Sequence, residues 1–186
     1  MEKRIGYIDI AKGLGILIIV LAVLFDVANG WHDCANAIAT VVSTKVLSPG
    51  AAVTLAALMN ILGAFLTTAV AKTIGKGIVD PVAITDHVII AALLSAIIWN
   101  LITILMGLPV SSSHALVGGL IGAGAAHGGI GILNSAGITK IFTSLLISPI
   151  FGFIIGFGFM KLILYLFGRL SPGVISKHFG RLQILS

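Results

Sequence analysis

The stretch DVANGWHDCANA, Asp26 to Ala37, sits inside a long apolar segment, yet it carries Asp26, Asn29, His32, Asp33 and Asn36. Asp26-x-x-Asn29 and Asp33-x-x-Asn36 are the same four-residue unit, repeated seven positions on. At about 100° per residue these four positions fall within roughly 80° of one helical face. A continuous helix makes them a two-turn stripe of carboxylates and amides. A break at Gly30 makes the same groups frame the break, with freed backbone carbonyls beside them. Either geometry gathers many oxygens at one place, and the meaning of that place depends on whether water or hydrocarbon surrounds the segment.

Composition answers for hydrocarbon. Of 186 residues, 58% are hydrophobic and only 9% charged, with a mean hydropathy of +1.17. A soluble domain carries about 25% charged residues. This chain cannot cover a water-facing surface, so the expectation is an integral membrane protein. The net charge of +5 then speaks for lipid headgroups at the flanks of spans rather than for nucleic acid. The one cysteine, Cys34, excludes an internal disulfide and reads as a small packing residue. No cleavable signal peptide is expected, because the first apolar run leads straight into polar residues.

A span needs about 20 apolar residues. The first expected span opens near Gly13 and its apolar pattern runs to Thr44, too long for one perpendicular crossing; it is either strongly tilted or interrupted near Asn29–Gly30. Residues 1–12 read as an N-terminal flank. Ser48–Pro49, a good cap and first-turn pair, opens a second span over Gly50 to Ala71. A third runs from Ala83 to Met106 and stops at Gly107-Leu108-Pro109. Ser111 to Gly129 reads as a half-length helix, and Lys140 to Phe167, with Pro149 inside it, as the last long span. Residues 169–186 read as a basic tail with a short interfacial helix. The expected architecture is one all-α membrane domain over 1–186, with about four full spans plus discontinuous or half helices.

Two places carry chemistry. An acid at bilayer depth is costly and normally faces a cavity, a partner or an ion. Asp26, Asn29, Asp33 and Asn36 supply the hard oxygens that a cation such as Na⁺ takes, and a carboxylate could carry a proton instead. The plain alternative is hydrogen bonding between helices. The second place is GLPVSSSHALVGG: Pro109 ends one helix, and Ser111, Ser112 and Ser113 are cap-type residues at the start of the next. The first turn there has free N–H groups and the positive end of the dipole, an anion site in the making; a bare serine cap is the alternative. An anion cradle together with an acidic cation site reads as cation-coupled anion transport, for which discontinuous helices are a recurring device. His32 and His114 flank the two places and are further candidates for contact with substrate or a proton. Asn60, Asn100 and Trp99 read as interhelix contacts, His87, His127 and His178 as wet span ends, and Gly118-Gly119, Gly122 and Gly124 as a packing face.

FDVANGWHDCANAIATVVSTKVLSP and GLPVSSSHALVGGLIGAG together resemble the inorganic phosphate transporter family. That family's signature, Gly-x-(Asn/His)-Asp-x-x-Asn, reads here Gly30-Trp31-His32-Asp33-Cys34-Ala35-Asn36, and its Pro-(Val/Ala)-Ser-(Ser/Thr)-(Ser/Thr)-His reads Pro109 to His114. The resemblance implies two inverted repeats, each with one signature, holding phosphate and cations between them. The chain matches the first repeat and lacks a second signature, which fits a fragment, a split gene product or a half that dimerises. The implied substrate is inorganic phosphate, held by Ser111, Ser112, Ser113 and His114. Na⁺ or H⁺ is the coupling ion, served by Asp26, Asn29, Asp33 and Asn36, with any Na⁺ at Asp33 and Asn36.

The expected function is therefore symport of phosphate, alone or as a metal–phosphate complex, in a bacterial or archaeal cell membrane. No cofactor and no nucleic-acid partner are expected. The partners are phosphate, lipid, and a second repeat from a separate chain or a homodimer. A cation channel or carrier built on the acidic stripe is the runner-up, and a non-transporting assembly subunit is the third reading. No nucleophile–base set or metal-ligand spacing argues for an enzyme. Lys/Arg residues flank both expected faces, so orientation is left open.

Overall fold

The computed structural model of the chain describes the backbone of residues 2–66 and 77–169, and side chains from residue 12 onward within those ranges. The described residues form five α-helices: α1 (Glu2–Ser43), α2 (Pro49–Leu66), α3 (Asp86–Met106), α4 (Ser112–Gly128) and α5 (Ser135–Phe167), with 3₁₀ turns at Pro81–Ala83 and Ile130–Ile132. Among the described residues, four stretches are long and apolar enough to cross a membrane: Lys12–Ser43 of α1, α2, α3 and α5. The chain is a multi-pass, all-helical membrane protein. Large apolar side chains line its outside, Ile19, Leu62, Ile98 and Phe153 among them, as lipid contact requires.

The break weighed at Asn29–Gly30 does not occur, since α1 runs through it as one helix of 42 residues. A lone internal glycine weakens a helix by about 1 kcal/mol relative to alanine but does not end one, and the space around Gly30 is open. The stretch Lys12–Ser43 alone is 32 residues, about 48 Å at 1.5 Å per residue, against a hydrocarbon layer of about 30 Å. Residues 2–12, expected as a separate flank, continue the same helix. The expected interfacial helix of the tail lies, from residue 170 on, outside the described residues, as does the end of the second expected span.

Contacts divide the chain into two compact units, one made of Met1–Asp33 with Thr68–Ile138, the other of Cys34–Thr67 with Thr139–Ser186. In the first unit α3 and α4 form an antiparallel hairpin. Thr85 precedes α3 as its N-cap, and Gly107 ends it in the left-handed conformation (φ 65°). The Gly107 N–H donates to Ile104 O and the Leu108 N–H to Thr103 O. This double closure needs a residue without a Cβ penalty, and Pro109 then forbids continuation. The hairpin packs backbone to backbone at Gly119, where a Cβ would lie 2.7 Å from the carbonyl oxygen of Ala92. Gly124 rests on the Val79 side chain, while Gly118 and Gly122 face open space. The packing face read from the glycine run is thus Gly119 and Gly124.

A short antiparallel bridge between Val79 and Leu133 ties the base of the hairpin. The Asp80 N–H donates to Ile132 O at 2.9 Å and the Asn134 N–H to Ile78 O at 2.8 Å. Ile78 and Val79 are fully buried there. On α1 the buried residues Leu21 and Ala28 share a face with half-buried His32, their spacing of 7 and 4 placing them within about 40° of one another.

In the second unit α1 closes at Lys45 (φ 59°), with the Val46 and Leu47 N–H groups both donating to Val41 O. Ser48 Oγ accepts from the Ala51 N–H at 3.4 Å ahead of Pro49, as the cap reading anticipates. Along α5, Phe153 and Phe157 stack at 6.2 Å and the Lys161 ammonium lies 5.0 Å from the Phe157 ring centroid. This one-turn spacing lets a long cationic side chain rest on aromatic surface within an apolar helix.

Candidate functional site

The tip of the hairpin is the strongest site geometry. Ser111 is the N-cap of α4, its Oγ accepting from the His114 N–H at 3.4 Å, and the first turn carries no acid. The remaining first-turn N–H groups and the positive dipole end are therefore open to an anion. The four tip residues part company in direction. Ser111 and His114 line a groove of about 850 Å³ between α3 and α4, together with Trp99, Ile102 and small residues. Ser112 turns inward and is 2% exposed. Ser113 is exposed outside the groove.

Beneath the tip lie two buried polar side chains. Asn100 is fully buried, and neither its amide nitrogen nor its amide oxygen has a hydrogen-bond partner; the Ser112 hydroxyl has none either. The register set by Gly119 against Ala92 puts Ser112 level with Trp99–Asn100 across the antiparallel pair. Each buried unpaired polar group costs about 1–3 kcal/mol, so the hairpin concentrates unsatisfied polarity just below its anion-attracting end.

His32 joins α1 to this hairpin. Its Nε2 lies 3.0 Å from the Asn100 backbone oxygen and 3.2 Å from Thr103 Oγ1. A carbonyl only accepts, so Nε2 carries a hydrogen and donates. Thr103 in turn donates back to its own helix, at 2.9 Å to Trp99 O and 3.0 Å to Asn100 O. A cavity of about 330 Å³ lies at this joint, lined by Trp31, His32, Thr103, Gly107, Leu108 and Pro109 among others. The tip therefore meets the interior of α1, eleven residues (43 − 32) before Ser43, about 16 Å short of the helix end. From sequence alone Asn100 reads as an interhelix hydrogen bond or packing contact and Thr103 carries no signal of its own; in the structure the Asn100 side-chain amide has no partner. Asn100-x-x-Thr103, a polar pair one turn apart on an apolar helix, repeats the spacing of the acidic stripe and was the available signal.

The stripe itself points elsewhere. Asp33 and Asp26 stand about 100–120° round α1 from His32. Both are exposed, Asn29 is partly so, and Asn36, in the second unit, is exposed. Among the described residues, no group of three His, Cys, Asp or Glu side chains could hold a metal ion. The structure thus brings His32 to the hairpin tip and leaves the two carboxylates on an open face.

A model of the phosphate transporter family matches residues 29–182. The chain is 48% identical over 180 residues to a probable low-affinity inorganic phosphate transporter of Bacillus subtilis, covering 96% of this chain and 54% of that protein. A protein of the same description from Rhizobium meliloti is 44% identical, over 91% of this chain and 51% of its own length. The Streptomyces halstedii protein is 42% identical, over 93% and 82%. Among solved structures, the sodium-dependent phosphate transporter matches with a TM-score of 0.78 and 32% identity over 82% of this chain and 40% of that one. The chain spans about half the length of the first two of these relatives.

Proposed function

The chain belongs to the phosphate transporter family, and from that premise we propose that it forms one repeat of a cation-coupled symporter of inorganic phosphate. Phosphate binds at the hairpin tip, at the N–H groups of the first turn of α4, with Ser111 and His114 on the groove side and the Ser112 and Ser113 hydroxyls turning to it from the inner and outer sides of the tip. Asp26 and Asp33 serve the coupling cation, with Asn29 and Asn36 as neutral co-ligands. The observation that carries this reading is the capped, acid-free helix start at Ser111–Ser112, set beside the interior of α1 by His32.

The two carboxylates supply the reason for coupling. They repel a phosphate anion unless a cation or a proton intervenes. Ion binding thus precedes or accompanies phosphate binding. The likeness to a sodium-dependent phosphate transporter supports Na⁺ as the ion, held at Asp33 and Asn36, and the relatives' descriptions support transport rather than catalysis. The polar face of α1 is completed by a second repeat, from the same or another chain.

The test is phosphate uptake by the intact protein in sealed vesicles. Ser112→Ala and Ser113→Ala are expected to cut uptake by about tenfold each, the size of losing one hydrogen bond to a charged group, with membrane insertion unchanged. Normal uptake in both single variants and the double variant removes the cradle.

A further inference from the structure

We infer that His32 is a positioning residue: it holds the hairpin tip against α1 and affects phosphate binding only through that hold. The inference rests on the proposed site at the tip, and it departs from reading His32 as a direct ligand or proton carrier. Its Nε2 is committed as a donor to the Asn100 carbonyl at 3.0 Å, so that nitrogen cannot hold a cation or accept from substrate. It also faces Thr103, whose hydroxyl is anchored to the backbone of its own helix. The contact falls on the last two turns of α3, immediately before the Gly107 closure that aims the tip. The base of the hairpin is tied separately by the Val79–Leu133 bridge, which leaves the tip to be fixed by other contacts. His32 is a side chain that crosses from α1 to that end, and the cavity beside it gives the tip room to shift when the contact is lost.

The chemistry of the joint selects its own controls. A glutamine at position 32 presents an amide N–H at similar reach and preserves the donor; a leucine preserves bulk and removes it. Thr103→Val removes the second partner from the α3 side. The intact protein carrying this chain is used throughout, with the exposed Cys34 replaced by serine and a reporter cysteine at Leu108, a half-exposed tip residue lining the joint cavity.

Two readouts are compared: the rate of maleimide labelling at the reporter, and KM against Vmax for phosphate uptake in vesicles. His32→Leu is expected to raise labelling several-fold and phosphate KM by about fivefold to tenfold, the scale of one or two lost hydrogen bonds, with Vmax within about threefold. His32→Gln is expected to restore both. Should His32→Leu fail to insert, Thr103→Val reads the same joint and is expected to raise labelling and KM in the same direction. Unchanged labelling in His32→Leu or, in its place, Thr103→Val overturns the inference. So does a His32→Gln variant with normal labelling but the KM of His32→Leu, because the imidazole then touches the ligand itself. Absence of phosphate uptake in the unsubstituted protein removes the proposed site instead, and the labelling comparison still decides the joint.

Discussion

At Asp26 and Asp33 the chain carries two carboxylates seven residues apart on an open face of α1, about 10 Å along the axis. Hydrocarbon does not tolerate such a face, so a cavity, a partner or an ion must meet it. Asp33→Asn keeps the shape and the oxygen but removes a charge. It is expected to flatten the dependence of phosphate uptake on Na⁺ at fixed pH, or on pH at fixed Na⁺, and measuring both in one vesicle preparation tells which ion is coupled. A profile identical to the unsubstituted protein in both titrations would mean that Asp33 is structural. The acids and the serine cap were legible because each is an anomaly against its surroundings, charge in an apolar run and three hydroxyls after a proline. The partnership of His32 with the Asn100 carbonyl was not legible, because a backbone acceptor leaves no mark in sequence and a lone Asn in an apolar helix reads as packing.

The helices themselves were largely readable from hydropathy length and punctuation: Ser48–Pro49 opens α2, and Gly107 with Pro109 ends α3 where expected. What hydropathy could not decide was whether α1 breaks at Gly30. Local signals there are a polar stretch and one glycine, too weak to end a helix, and α1 runs through them unbroken. The hairpin shows the converse, a glycine run whose members differ in weight. Only contact geometry separates Gly119, whose missing side chain lets the two backbones touch, from Gly118, which faces space. Gly119→Val is therefore expected to push α4 off α3, destabilising the fold by about 1–3 kcal/mol as overpacking does and lowering the yield of inserted protein. Gly118→Val should leave yield within about twofold, since a change at an open site stays near ±0.5 kcal/mol. Thermal unfolding of both variants in detergent gives the comparison; equal behaviour would mean that the α3–α4 packing is looser than the 2.7 Å approach implies.

Across the whole molecule, little of the described surface is polar and little of the interior is deep. α5 has no buried residue, and α2 buries only Ala52. Such an arrangement suits a protein whose helices meet lipid on one side and other helices on the other. The polar face of α1 is the exception, since lipid cannot take the place of a partner for Asp26 and Asp33. The relatives of B. subtilis and R. meliloti have about twice the length matched here, enough for a second repeat to supply that partner. These 186 residues expressed alone are therefore expected to transport phosphate poorly or not at all in liposomes, and to self-associate in detergent. Co-expression with a second repeat should restore uptake. Mass measurement in detergent and an uptake assay on the same preparation decide the matter. A stable monomer with full transport would show that Asp26 and Asp33 find their ion without a second repeat, and would move the transport path inside this one chain.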